Sequence, residues 1–182
     1  MADMRSYNEV TGTYQGWSGR TFTSSATLTR PADTTQYAAG DQVADSTTAP
    51  TALNFGTCAV NNGGGGLLID AIAIANANQS TKPNQRLYLF SGSPTLNNDN
   101  ANWAPSDADF ANIVGMAEFT SWEVGGTTLG TAGNCFAQAK NINSGYTCAA
   151  AAANLWGCVV ERGTYTPISG EAWTYKLRVS HD

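Results

Sequence analysis

ATLTRPADTTQYAAGDQVAD, residues 26–45, compresses the logic of the fold into one line: an alternating strand, a proline stop, a polar turn and a short second strand. The alternation begins upstream, at Arg20. From there to Arg30, Phe22, Ser24, Ala26 and Leu28 interleave with threonines and a serine, the pattern of a strand with one wet face. Pro31 has no N–H to donate to a ladder and ends the strand.

Period two continues along the chain, and period 3.6 is nearly absent. Leu67–Ala75 reads as a central strand that buries both faces. Strict alternation places Leu68, Asp70, Ile72 and Ile74 on one side, and Leu67, Ile69, Ala71 and Ala73 on the other. RLYLF at 86–90 and the stretch Ile113–Trp122 follow as strands, joined by a Ser91–Asn112 connection rich in Pro, Asn and Asp. Leu155–Glu161 and Trp173–Ser180 close the chain, and the turn residues Pro167 and Gly170 between them predict a hairpin. Cys148–Asn154 holds five alanines, which favour helix, but Gly145 and Gly157 leave little room for one. A short helix and a strand end with a turn both fit it. Many short strands separated by turn signals predict an all-β fold, a single antiparallel β-sandwich, jelly-roll-like.

A chain of 182 residues suits one packed core. The expected division is a β-sandwich domain over 20–182, preceded by an extended N-terminal arm over 1–19. The arm lacks periodicity but contains Tyr7, Tyr14 and Trp17, apolar enough to dock on a neighbour. With Trp103 they are the candidate partner-binding residues. Charged residues make up 13% of the chain, about half of what soluble domains usually carry. Nine Lys plus Arg against 14 Asp plus Glu leave no basic stripe for phosphates, so no nucleic acid is expected. The most apolar run is far shorter than the roughly 20 residues a membrane helix needs, so no membrane is expected either.

Met1–Gly19 has no apolar core of the kind an export signal carries, which predicts a protein that stays in the reducing compartment where it is made. Cys58, Cys135, Cys148 and Cys158 then read as small buried apolar side chains. No CxxC pair occurs and the only histidine, His181, is penultimate, so no zinc site is expected.

Several features imitate chemistry. Gly63–Gly66 lacks the GK[ST] ending of a phosphate loop and reads as a flexible turn. Asp99, Asp107 and Asp109 lack calcium-loop spacing and read as turn and helix-cap carboxylates. Glu118 and Glu123 are the one candidate glycosidase pair, but five residues apart on one strand they point to opposite faces. No serine or cysteine has a base to activate it. Asn78, Gln79 and Ser80 spell a glycosylation acceptor, without consequence in a chain that is not exported. The expectation is no enzyme, no catalytic residues, no metal and no cofactor.

ATLTRPADTTQYAAGDQV at 26–43, GGGGLLIDAIAI at 63–74, RLYLFSGSPTLNNDNANWAPSDADFANIVGMAEF at 86–119 and YTPISGEAWTYKLRV at 165–179 occur in the order found in small structural proteins of tailed bacteriophages. Over most of residues 20–180 the chain resembles the capsid decoration, or cement, proteins of that group. The resemblance implies a protein on the outer surface of the virion capsid, assembled in the bacterial host cytoplasm. Its implied partner is the major capsid protein, with self-association as a trimer or dimer and no active site. The long arm and the Thr127–Cys148 segment depart from the family pattern. The five tryptophans suggest the alternative, a carbohydrate-binding module of a virion fibre or tail protein. An exposed planar row of aromatics would favour sugar; extended termini with burial shared between chains would favour cement.

Overall fold

The computed structural model describes residues 5–8, 13–16, 20–125 and 133–181, with side chains within 21–125 and 133–180. In chain order the elements are β1 (Arg5–Asn8), β2 (Thr13–Gly16), β3 (Arg20–Thr29), β4 (Gln42–Val43), β5 (Leu53–Thr57), β6 (Gly65–Ala75) and β7 (Gln85–Phe90). They continue with α1 (Asp107–Ala111), β8 (Ile113–Phe119), β9 (Trp122–Val124), β10 (Cys135–Ala139), β11 (Ser144–Thr147), β12 (Asn154–Glu161) and β13 (Ala172–His181). Among the described residues, no helix is long and apolar enough to cross a membrane.

Two antiparallel sheets pack face to face. The first runs β3-β13-β6-β10-β9, with β11 beside the first half of β6; the second runs β4-β12-β7-β8, with β5 also on β12. The chain passes back and forth between them: β3 in the first, β4 and β5 in the second, β6 in the first, β7 and β8 in the second, β9 to β11 in the first, β12 in the second and β13 in the first. That alternation is the double Greek key of a jelly roll, as the sequence predicts. Within the segment read as an arm, β1 and β2 pair antiparallel, with Tyr7 opposite Tyr14 in the register. The side chains of Tyr7 and Tyr14, and all of Trp17, lie outside the described residues.

β13 is the spine of the first sheet. It pairs with β3 on one side and β6 on the other, placing Trp173 and Tyr175 opposite Ala75 and Ala73. Both rings are wholly buried. Small residues on the adjacent strand leave volume for large ones, which is how a core reaches close packing without strain. The pairing shifts register between Arg178 and Val179, so Ile69 is an extra residue opposite the step. This bulge corrects the strict alternation read from sequence: Leu68 joins Ala71, Ala73 and Ala75 in the core, while Ile72 and Ile74 turn outward, half-buried. Asp70 lies on the outer side, bonded to Arg178 and to Gln138.

Two strand readings are corrected by the end of a ladder. β8 pairs with β7 only until Phe119 meets Gln85, where β7 begins. Beyond that point the chain crosses over, and Trp122–Val124 forms β9 in the other sheet. Likewise β12 and β13 are not a hairpin: β12 pairs with β4, β5 and β7, and β13 with β3 and β6. Their connection passes from one sheet to the other and is tied to the loop after β3 by the bridge of Tyr165 with Tyr37.

Gly65 and Gly66 belong to β6 rather than to a flexible turn. A Cβ on Gly65 would strike the Tyr146 carbonyl oxygen, and one on Gly66 the Ser180 carbonyl oxygen, so glycine is what lets β6 pass between β11 and β13. Cys148–Asn154 contains a turn and no helix. The helix present is α1, which Ser106 caps by accepting from Asp109 N at 3.1 Å. All four cysteines are buried, as expected, and unpaired.

Candidate functional site

The second sheet buries residues on both faces. Outside it, Phe90, Cys158 and Val160 form a small second core under the Ser91–Asn112 connection, with Tyr88, Leu96, Trp103, Ile113 and Trp156 packed around them. The connection is held by Gln42, whose Nε2 donates to Asn97 O at 2.6 Å while its Oε1 accepts from Asn97 N at 3.0 Å. It is held more deeply by Asp99. That carboxylate, 7% exposed as a residue, accepts from Tyr37 OH at 2.6 Å, from Ala44 N at 2.8 Å and from Arg30 NH2 at 3.2 Å. Burial and the Asp99 bond hold the Tyr37 hydroxyl far above the usual tyrosine range, so it stays a neutral donor.

Where this connection returns to β8 it forms one wall of an open groove of about 750 Å³. Met116 and Glu118 stand on the outward side of β8, opposite Tyr88 and Arg86 of β7. Phe110 of α1 and Ile142 of the β10–β11 connection complete the apolar lining, with Lys140 at the rim. Phe110 is 60% exposed and Met116 48%. Arg86 bonds Glu118 and donates to Tyr88 OH at 3.1 Å, and these bonds raise its pKa further and keep it charged. The groove therefore combines an apolar strip of Phe110, Ile113, Met116 and Ile142 with Glu118, which is paired to Arg86, and with Thr120 and Lys140.

The residues singled out in the sequence do not converge on it. Trp103 is half-buried and stacked on Tyr88, ring centroids 4.1 Å apart, so one face of each ring is occupied by the other. Trp173 is in the main core, and Trp122 and Trp156 are half-buried. Glu118 and Glu123 lie on different strands in different sheets, which corrects the reading of one shared strand. Of the acidic trio, Asp109 takes part in the cap, with burial opposed and its carboxyl held low by the Ser106 hydroxyl, and Asp107 lies in the first turn of the helix. Asp99 is instead half of a buried ion pair with Arg30. Among the described residues no group of three or more His, Cys, Asp or Glu side chains is placed to hold a metal ion. Sequence reasoning missed Phe110, Met116 and Ile142 as one surface, because they come from three elements and only the packing of β8 beside β10 and β11 of the other sheet brings them together.

No family model and no curated protein sequence matches this chain. Among solved structures it is similar to a chain of the cyanophage Pam1 capsid asymmetric unit, at 12% identity and a TM-score of 0.36, covering 92% of this chain and 88% of that one. It is also similar to the K3 cleaved adhesin domain of Lys-gingipain from Porphyromonas gingivalis W83, at 14% identity and a TM-score of 0.33, covering 74% of this chain and 66% of that one. A third similarity is to the CBM22-1–GH10 modules of the xylanase Xyn10B from Clostridium thermocellum, at 10% identity and a TM-score of 0.30, covering 86% of this chain and 26% of that one.

Proposed function

We propose that this protein is a phage capsid decoration protein, which binds the outer surface of an assembled shell and stabilises contacts between neighbouring capsomers, with the major capsid protein as its partner. The sequence motifs suggest the family, and the observation that carries the reading is the β8 groove. It is an open, apolar, weakly charged surface lined by Phe110 and Met116, the chemistry of a protein interface core rather than of a small-molecule cavity with convergent polar groups. Burying what remains exposed of either side chain contributes about 1 kcal/mol, and a shell that presents the same junction many times multiplies a modest affinity. The described tryptophans do not form one exposed row of the kind the sugar reading expects: Trp173 is wholly buried in the core, Trp103 is stacked on Tyr88, and Trp122 and Trp156 are half-buried on strands of different sheets.

The test is binding of purified protein to shells that lack it, followed by cosedimentation and electron microscopy of both particles. Phe110→Glu and Met116→Glu, each checked for fold by near-ultraviolet circular dichroism, should lower occupancy at least tenfold. Undiminished decoration by both variants would move the contact elsewhere. The proposal includes no catalysis; glycoside hydrolysis lost in Glu118→Gln or Glu123→Gln would overturn that part.

A further inference from the structure

We infer that the β8 groove takes a segment of the capsid protein that carries an apolar side chain with a carboxylate beside it, the apolar side chain lying on Phe110 and Met116 and the carboxylate meeting Lys140. This partner chemistry rests on the reading of the groove as the shell-binding surface. Two charged side chains line the groove, Glu118 and Lys140. Glu118 is matched by Arg86, whose Nε donates to it at 2.8 Å. Lys140 is exposed, and among the described residues no hydrogen bond or ion pair engages its side chain.

The remaining polar side chains of the groove are occupied, with one exception. Tyr88 OH accepts from Arg86 NH1 at 3.1 Å, Gln138 Nε2 donates to Asp70 Oδ2 at 3.3 Å, and Ser144 Oγ donates to the Val114 carbonyl at 3.4 Å. Thr120, exposed just beyond β8, has a hydroxyl that no described residue engages. An ammonium and a hydroxyl are what the groove has left to offer beside its apolar strip, and both donate to a carboxylate.

Docking fixes the sign of the charge that the segment must bring. A segment that fills the groove covers Phe110 and Met116 and, with them, part of the Lys140 side chain, stripping water from its ammonium. Uncompensated, that desolvation opposes binding; a carboxylate on the segment offsets it and sets the register of the contact. A basic segment is repelled at the same place. The chain as a whole carries a net charge of -5, so its overall field does not draw in an acidic partner, and the attraction is local to Lys140.

The experiment titrates the full chain and its variants onto shells that lack the protein, at low and at physiological salt. Lys140→Glu should weaken binding about tenfold or more and Lys140→Ala about threefold, while Lys140→Arg should bind like the unaltered protein. Arg162→Glu changes the net charge by the same amount as Lys140→Glu, at an exposed site in the β12–β13 connection outside the groove, and should bind normally. Raising the salt should weaken the unaltered protein more than Lys140→Ala. Normal binding by Lys140→Glu while Phe110→Glu binds poorly would overturn the acidic segment and leave the groove as the docking surface. Normal binding by both would overturn the groove reading as well. Equal weakening by Lys140→Glu and Arg162→Glu would assign the effect to net charge and overturn the acidic segment too.

Discussion

Glu161 of β12 and Gln85 of β7 are partners across an antiparallel ladder, both wholly buried, and each keeps one polar atom, Oε2 and Nε2, without a hydrogen-bond partner among the described residues. The other oxygen of Glu161 accepts from Asn84 N at 2.7 Å and Gly163 N at 3.3 Å. Burial is the largest influence on this carboxyl and pushes it up from 4.5 to about 7, with the backbone N–H donors opposing and Glu171 adding to it. Glu171 is raised in the same direction by burial, although Tyr165 OH donates to it at 2.8 Å and Arg30 and Lys82 act to lower it. Tyr165 and Tyr175 stay neutral, far above their usual range.

The sign of the resulting pH dependence follows from a raised pKa. The fold favours the protonated form, so the contribution is complete below about pH 4.5 and is lost as pH rises through 7. The difference corresponds to roughly 3 kcal/mol. Urea unfolding should show a less stable protein near pH 8 than near pH 5. Glu161→Gln keeps an acceptor for Asn84 and Gly163 without the ionisation, and should recover most of that loss at the higher pH. Identical pH slopes in the two proteins would show that Glu161 ionises as freely in the fold as outside it.

Arg30 and Asp99 pose the opposite problem, a charge pair already inside. Removing one partner of a buried pair strands the other at a cost of about 3–5 kcal/mol, whereas removing both charges costs much less. Arg30→Met should therefore destabilise strongly, and adding Asp99→Asn, which keeps an oxygen for Ala44 N and Tyr37 OH, should return at least about 1 kcal/mol. Because Asp99 anchors the connection that carries Trp103 and α1, Arg30→Met should also weaken shell binding through the β8 groove. Additive losses in the double variant would mean the two charges do not stabilise each other.

Gly66 and Gly145 separate glycine that is needed from glycine that is only tolerated. A Cβ at Gly66 would strike the Ser180 carbonyl and come within 2.8 Å of Tyr146 OH, whereas one at Gly145 meets nothing within 4 Å. Gly66→Ala should cost about 1–3 kcal/mol by overpacking, and Gly145→Ala should be neutral or slightly stabilising because it restricts only the unfolded chain. Thermal unfolding of the pair checks this, and equal shifts would refute it.

The strand β3 and its stop at Pro31, the central place of β6 and the sandwich class were legible in the sequence because period two and proline chemistry are local signals. The face of Leu68 was not. One bulged residue at Ile69 inverts an alternation, and nothing in LLIDAIAIA marks it. The path from β12 to β13 was misread for a related reason: turn residues report that the chain reverses, not which sheet it reverses into. Asp99 looked like one more turn carboxylate because its partner Arg30 is 69 residues away, and no local pattern encodes that pairing.

The arm supplies the last prediction. The β3–β13 ladder begins with Arg20 opposite His181, so the strand pairing of the described sheet starts at residue 20. The arm's sequence carries Tyr7, Tyr14 and Trp17, and an isolated two-stranded ribbon such as β1–β2 is marginal in water. Deleting residues 1–19 should leave the melting temperature of the free protein within a few degrees of the full chain. If the arm clasps a neighbouring subunit on the shell, the shortened protein should dissociate from capsids on dilution or mild heating while the full chain stays bound. Equal retention of the two would assign the attachment to the β8 groove alone, and a large drop in melting temperature would instead make the arm part of the sandwich.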